Sequence, residues 1–207
     1  MTLSLPDGLA PEVYPLAWLV GSWQGFGELA YPGIDAGLVI HEMTFDHDGG
    51  PYLRQTWTTW TTRPEGAERL RGSTGAVRVD VTGAQGYAHL EKDQIWFTET
   101  TYWRCLPGQE VEAPEGGGAG VEAPIAALEL VSADPAGHAA TWRGAAQGPR
   151  IEVATIEAAG TPQAAVVESV RRHYGLVNSE LMVVGYMAAF GQEEQAYFSG
   201  RMARVAE

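Results

Sequence analysis

Gly21-Ser22-Trp23-Gln24-Gly25-Phe26-Gly27 constrains this chain more than any other stretch. If it is a strand, Gly21, Trp23, Gly25 and Gly27 share one face, because side chains alternate across a strand. Glycine weakens a strand unless something approaches its backbone closely. Three glycines around one tryptophan therefore predict a tightly curved strand that another segment or a ligand contacts closely. Such a strand suits the opening of a small antiparallel barrel.

The rest of the chain agrees with that reading. Turn residues recur at short spacing, and the runs between them are rich in Val, Thr, Trp, Tyr and Phe. Val13 to Val20 reads as a short helical turn limited by Pro11 and Pro15. Strands are expected over Leu38 to Phe45 and Tyr52 to Thr62, joined by the turn Asp46-His47-Asp48-Gly49-Gly50-Pro51. Further strands are expected over Glu68 to Ser73, Ala76 to Val81, Tyr87 to Glu91 and Gln94 to Tyr102. Leu106 to Pro124, with its prolines and Gly116-Gly117-Gly118, is expected to be a flexible surface loop. Six more strand-like runs follow, from Ile125 to Val205. The fold class is all-β: a closed antiparallel up-and-down barrel of about ten strands with a short N-terminal helical turn and an inserted hairpin and loop, since closure removes aggregation-prone edges. One domain over 1–207 is expected.

Charge narrows the partners. Thirteen Lys and Arg against 26 Asp and Glu leave a net charge of −13, and Lys92 is the sole lysine. A field of that sign repels nucleic acid and anionic membrane surfaces. No run is long or apolar enough for a membrane span, and Met1 to Gly8 shows neither a basic n-region nor an apolar h-region, so a soluble protein with a cytoplasmic location is expected. A homodimer is compatible with all of this.

Candidate chemistry is sparse. Cys105 is the lone cysteine, which excludes an internal disulfide and a cysteine zinc site, and it reads as an inert core residue. His41, His47, His89, His138 and His173 show no metal-ligand spacing, and Asp46 and Asp48 lack the further ligands of a calcium loop. No metal is expected. No serine lies in a Gly-x-Ser-x-Gly elbow. Glu42, Glu99 and Glu129 are candidates to face a cavity, where an inward Glu pairs with an Arg such as Arg54, Arg69, Arg71 or Arg78. The glycine cluster has the wrong spacing for a dinucleotide fingerprint.

The Gly-x-Trp-x-Gly-x-Gly motif matches a signature of the nitrobindins, small barrels similar in shape to the fatty-acid-binding proteins and other calycins. The resemblance continues through Leu16 to Gly27 and Tyr31-Pro32, then through His41-Glu42-Met43-Thr44-Phe45-Asp46-His47-Asp48-Gly49-Gly50-Pro51. Leu53, Trp60 and Leu70-Arg71 follow its pattern. Arg172, Tyr174, Leu176, Leu181, Met187 and Ala188 reproduce the spacing of its closing strands. About 83–124 looks like extra material. The resemblance implies a barrel whose active relatives hold ferric heme through a histidine in the last strand, bind nitric oxide and isomerise peroxynitrite.

This chain departs from that pattern at the decisive position. In Gln192-Glu193-Glu194-Gln195-Ala196-Tyr197-Phe198-Ser199 the register puts Tyr197 where the proximal histidine stands, and no histidine follows His173. The family's histidine before the Leu-Arg strand is also missing from Glu65-Gly66-Ala67-Glu68. The resemblance therefore implies a ferric nitrobindin-like member that holds no cofactor and has lost isomerase activity. The expected role is a carrier or sensor of a small hydrophobic or amphipathic molecule, with Tyr197, Arg201 and Arg71 as polar anchors in the cavity. Arg201 shares strand parity with Tyr197. One alternative is a Tyr197-ligated ferric heme protein acting on nitric oxide or peroxynitrite. Another is an interaction protein with a self-filled interior.

Overall fold

A computed structural model describes residues 5–114 and 123–206. Ten strands form the wall: β1 Gly21–Tyr31, β2 Ile34–Asp46, β3 Leu53–Thr62, β4 Lys92–Leu106, β5 Ile125–Ala133, β6 His138–Gln147, β7 Arg150–Gly160, β8 Val167–Val177, β9 Glu180–Ala189 and β10 Gln195–Arg204. Each pairs antiparallel with its neighbours in sequence, and β10 returns to β1 to close the barrel. This is the expected up-and-down barrel. A 3-10 helix over Pro11–Leu19 plugs one end with Val13, Leu16, Trp18 and Leu19. The Trp23 indole is pinned there, since its Nε1 donates to the Leu19 carbonyl at 2.8 Å.

The β1 glycines serve the seam. Trp23, Gly25 and Gly27 share one face as expected, and the segment that approaches is β10. A Cβ on Gly25 would collide with the Arg201 and Met202 backbone, and one on Gly27 with the Ser199 carbonyl. Trp23, Trp57, Trp103, Phe45 and Met43 fill the plugged half of the interior.

The stretch between β3 and β4 departs from the strands expected there. Pro64–Leu70 is helix α1 and Gly83–His89 is helix α2, with only an isolated Arg71–Val77 bridge between them. These segments cover the outward faces of β1 and β2. There Phe26, Leu38 and Ile40 join Leu70, Val81 and Leu90 in a second apolar cluster outside the barrel. Burial of that outer face overrides the β-propensity of Ala76 to Val81. A capping box fixes the start of α2: Thr82 Oγ1 accepts from the Gln85 amide and Gln85 Oε1 from the Thr82 amide.

Within the stretch expected as extra material, Lys92–Leu106 is β4, an integral stave between β3 and β5. Of the expected loop, 107–114 lacks helix or strand, and 115–122 lies outside the described residues. Among the described residues no helix is long and apolar enough to cross a membrane.

Candidate functional site

Antiparallel order puts the starts of β4, β6, β8 and β10 at the end opposite the 3-10 plug. There the barrel holds a cavity of about 180 Å3. Its walls are mainly apolar, with Phe97, Trp142, Val170 and Met187, and Tyr197 and Arg172 face it.

A bulge sets the orientation of Tyr197. The β9–β10 ladder skips a position between Ala196 and Phe198, so Tyr197 and Phe198 both turn inward, 7% and 5% exposed. Bulges re-aim side chains in this way. The Tyr197 ring packs edge-on against Tyr31 at 6.4 Å and Phe198 at 4.7 Å. Burial holds its phenol above the ordinary tyrosine range, although the Arg172 charge draws it down.

Arg172, from β8, is the cation of the site. Its guanidinium donates to both Glu99 oxygens across the barrel, at 2.5 and 3.0 Å, and lies over the Trp57 and Trp142 rings at 5.0 and 4.6 Å. Glu99 also accepts from Thr101 Oγ1 at 2.9 Å. At this pair, Arg172 Nε, Gln55 Nε2 and Tyr174 Oη are buried without a hydrogen bond of ordinary geometry, Tyr174 lying near both Arg172 and Gln55.

The structure separates the other expected anchors from the cavity. The bulge inverts strand parity beyond Tyr197, so Arg201 points outward. It donates to Glu180 at 2.5 Å and to the Val81 carbonyl at 2.9 Å, clamping the segment before α2. Arg71 also lies outside, donating to the Gly75 carbonyl at 2.5 Å and 3.9 Å from Glu28. Of the three acidic candidates only Glu99 faces in. Glu42 points outward to Lys92, Tyr87 and Trp60, and Glu129 to Arg104. Among the described residues no group of three His, Cys, Asp or Glu side chains could hold a metal ion. Cys105 is buried, and burial pushes its thiol up to about 11.

Two histidines matter more than their sequence setting suggested. His138 stands at the cavity rim. His41 lies inside the barrel, 1% exposed, with Nδ1 against Thr59 Oγ1 at 3.0 Å and Nε2 against the Ser199 carbonyl at 3.2 Å. Trp57 Nε1 can only donate, and it meets Nδ1 at 3.3 Å, so the proton sits on Nε2. Burial lowers the ring to about 4, against a smaller opposing effect of the Ser199 carbonyl. Above pH 6.5 neither folded nor unfolded chain protonates it. Between 6.5 and about 4 the unfolded chain gains a proton that the folded chain refuses, so stability falls with pH by up to about 3 kcal/mol. Urea unfolding from pH 7 to 4 should show this slope, and His41→Gln should flatten it. An equal slope in the variant would assign the loss to other groups.

Comparison with known proteins places this geometry. Residues 12–204 match the THAP4-like, heme-binding β-barrel domain. The ferric nitrobindin-like protein of Beutenbergia cavernae is 41% identical, covering all of both chains. A peroxynitrite isomerase from a Nocardioides species is 28% identical over 99% of each. The crystal structure of Rv2717c from M. tuberculosis superposes with a TM-score of 0.65 at 26% identity, covering 96% of this chain and 99% of that one. The family match corrects one expectation drawn from Tyr197: the absence of any cofactor does not stand against a family defined by heme binding. The chain belongs to the THAP4-like heme-binding β-barrel family, the nitrobindins.

Proposed function

We propose that this barrel is a carrier or sensor that binds one small amphipathic molecule in the cavity at its open end, with Tyr197 as the polar contact. The observation that carries this reading is the bulge. It interrupts the ladder of β10 and turns a buried phenol into a mainly apolar space, beside Arg172. Binding would come from apolar surface buried against Phe97, Trp142, Val170 and Met187. At about 180 Å3 the space is below the roughly 300–1,000 Å3 usual for drug-sized ligands, so a larger molecule would project through the mouth.

Heme, an apolar disc with anionic edges, belongs to this ligand class, and one feature favours it as a second reading. A phenol ligates ferric iron as phenolate; burial raises the Tyr197 pKa, and the Arg172 charge partly offsets that and eases ionisation. Tyr197 is the donor that fits. A bound ferric heme would supply an iron site for nitric oxide or peroxynitrite. The chain's part would be to give up the Tyr197 proton, to hold the phenolate beside Arg172 and to keep Arg172 in place through Glu99.

Hemin titration read in the Soret band tests both readings together with a fluorescent amphiphile, anilinonaphthalene sulfonate. Under the second reading Tyr197→Phe weakens hemin binding at least tenfold, and wild-type affinity rises with pH because binding releases the phenol proton. Identical hemin spectra in wild type and variant would remove Tyr197 as iron donor. Failure of both hemin and the amphiphile to bind would overturn the binder itself.

A further inference from the structure

The barrel wall is notched beside this cavity. The β7–β8 ladder runs only from Arg150–Gly175 to Ala154–Arg171. Past that point each strand remains paired on its other side, β7 with β6 out to Gly160 and β8 with β9 out to Val167. Thr155 caps the fork: its hydroxyl accepts from the Val170 amide at 3.0 Å and donates to the Val170 carbonyl at 3.3 Å. Thr155 and Ala158 on one prong, and Val167, Ser169 and Val170 on the other, line the cavity.

The connection between the prongs, 161–166, is tied to the β5–β6 turn. The Thr161 amide donates to the Gly137 carbonyl at 2.9 Å, and the Ala164 amide to the Thr161 carbonyl at 2.9 Å. His138 makes the side-chain tie. Its Nδ1 meets Asp134 Oδ2 at 2.9 Å, and its Nε2 meets the Ala165 carbonyl at 2.9 Å. Both partners are acceptors, and only the imidazolium carries two N–H groups. The arrangement therefore selects the protonated ring. A neutral ring must give up one tie and face an oxygen lone pair with a nitrogen lone pair.

We propose that ligand reaches the cavity through the fork between β7 and β8, and that protonated His138 holds the connection across it closed. This rests on the cavity being the binding site. Partial burial of the ring works against the cation, but the Ala165 carbonyl and the Asp134 carboxylate outweigh it and raise its pKa. Asp134 is the charged group bonded to the ring. The charged residues on the flanking prongs, Glu157 and Glu168, are solvent-exposed. Raising the pH through the His138 titration removes one tie and frees the connection, so ligand exchange is faster at high pH.

Amide hydrogen exchange at Thr161 and Ala164 tests the tie without any ligand. After correction for intrinsic rates, wild-type protection should fall about tenfold as His138 deprotonates, the weight of one charge-assisted hydrogen bond. His138→Gln should show protection that does not vary with pH, and His138→Ala low protection throughout. Protection that is flat with pH in wild type, or that varies equally in His138→Gln, would overturn the tie. Stopped-flow release of anilinonaphthalene sulfonate should accelerate over the same pH range in wild type alone. A flat release rate alongside a responding connection would place access elsewhere and overturn the gate. Failure of the dye to bind at any pH would instead remove the cavity reading, while the exchange result still decides the tie.

Discussion

Arg172→Met is expected to destabilise the barrel by about 3–5 kcal/mol, a large part of the margin of a domain this size. The cost arises from what is left behind. Glu99 is 6% exposed and takes both of its strong hydrogen bonds from the guanidinium, so losing Arg172 strands a carboxylate beside Trp57 and Trp142. Glu99→Gln added to that variant should recover most of the loss, because a neutral amide keeps the Thr101 contact and carries no charge to solvate. Urea unfolding of the two single variants and the double gives the coupling directly. Equal stability of the Arg172 variant and the double would mean that the charge costs nothing where it sits, and the pair could not be what fixes the inner end of the cavity. The same cycle bears on function. If the double variant folds yet no longer binds hemin or the fluorescent amphiphile, the pair is needed for binding and not for the barrel alone.

The barrel was legible in the chain because its signals are local. Alternation of bulky residues, recurring turns and the glycines around Trp23 each read out within a few residues. The Pro11–Leu19 plug was legible for the same reason. The site was less so. Glu99 and Arg172 lie 73 residues apart and meet only because the barrel closes, so an inward Glu was foreseeable while its partner was not. Arg201 was placed inward by simple strand parity, which holds only in an unbroken ladder. One extra residue at Tyr197 reverses the parity of everything after it. Two helices were missed although Thr82-Gly83-Ala84-Gln85 carries a capping-box pattern. The valines beside it suggested strands, and nothing local shows that the outer face of β1 and β2 needs covering. Phe26 was the available sign: a large apolar residue on the polar-facing parity of the signature strand.

Gly27→Ala should cost at least about 3 kcal/mol, although it adds a single methyl group. The new carbon would land on the Ser199 carbonyl oxygen and 2.8 Å from His41 Nε2, the two groups hydrogen-bonded to each other across the closing seam. Neither can yield cheaply. Ser199 belongs to the β1–β10 ladder, and His41 is held by Thr59 and Trp57. Gly37→Ala on β2 is the matched control, since a Cβ there meets nothing within 4 Å, and it should be neutral or stabilise slightly through the unfolded chain. Thermal unfolding of the two variants side by side separates a steric requirement at the seam from a general cost of losing glycine. Similar losses in both would reduce the signature to backbone flexibility. The expected contrast ties the motif to the site, because Ser199 lies two residues beyond Tyr197 on the same strand. Glycines that let β10 seat against β1 also set the depth at which the bulge presents its phenol. A seam forced apart at Gly27 should therefore weaken ligand binding in whatever fraction of the variant still folds.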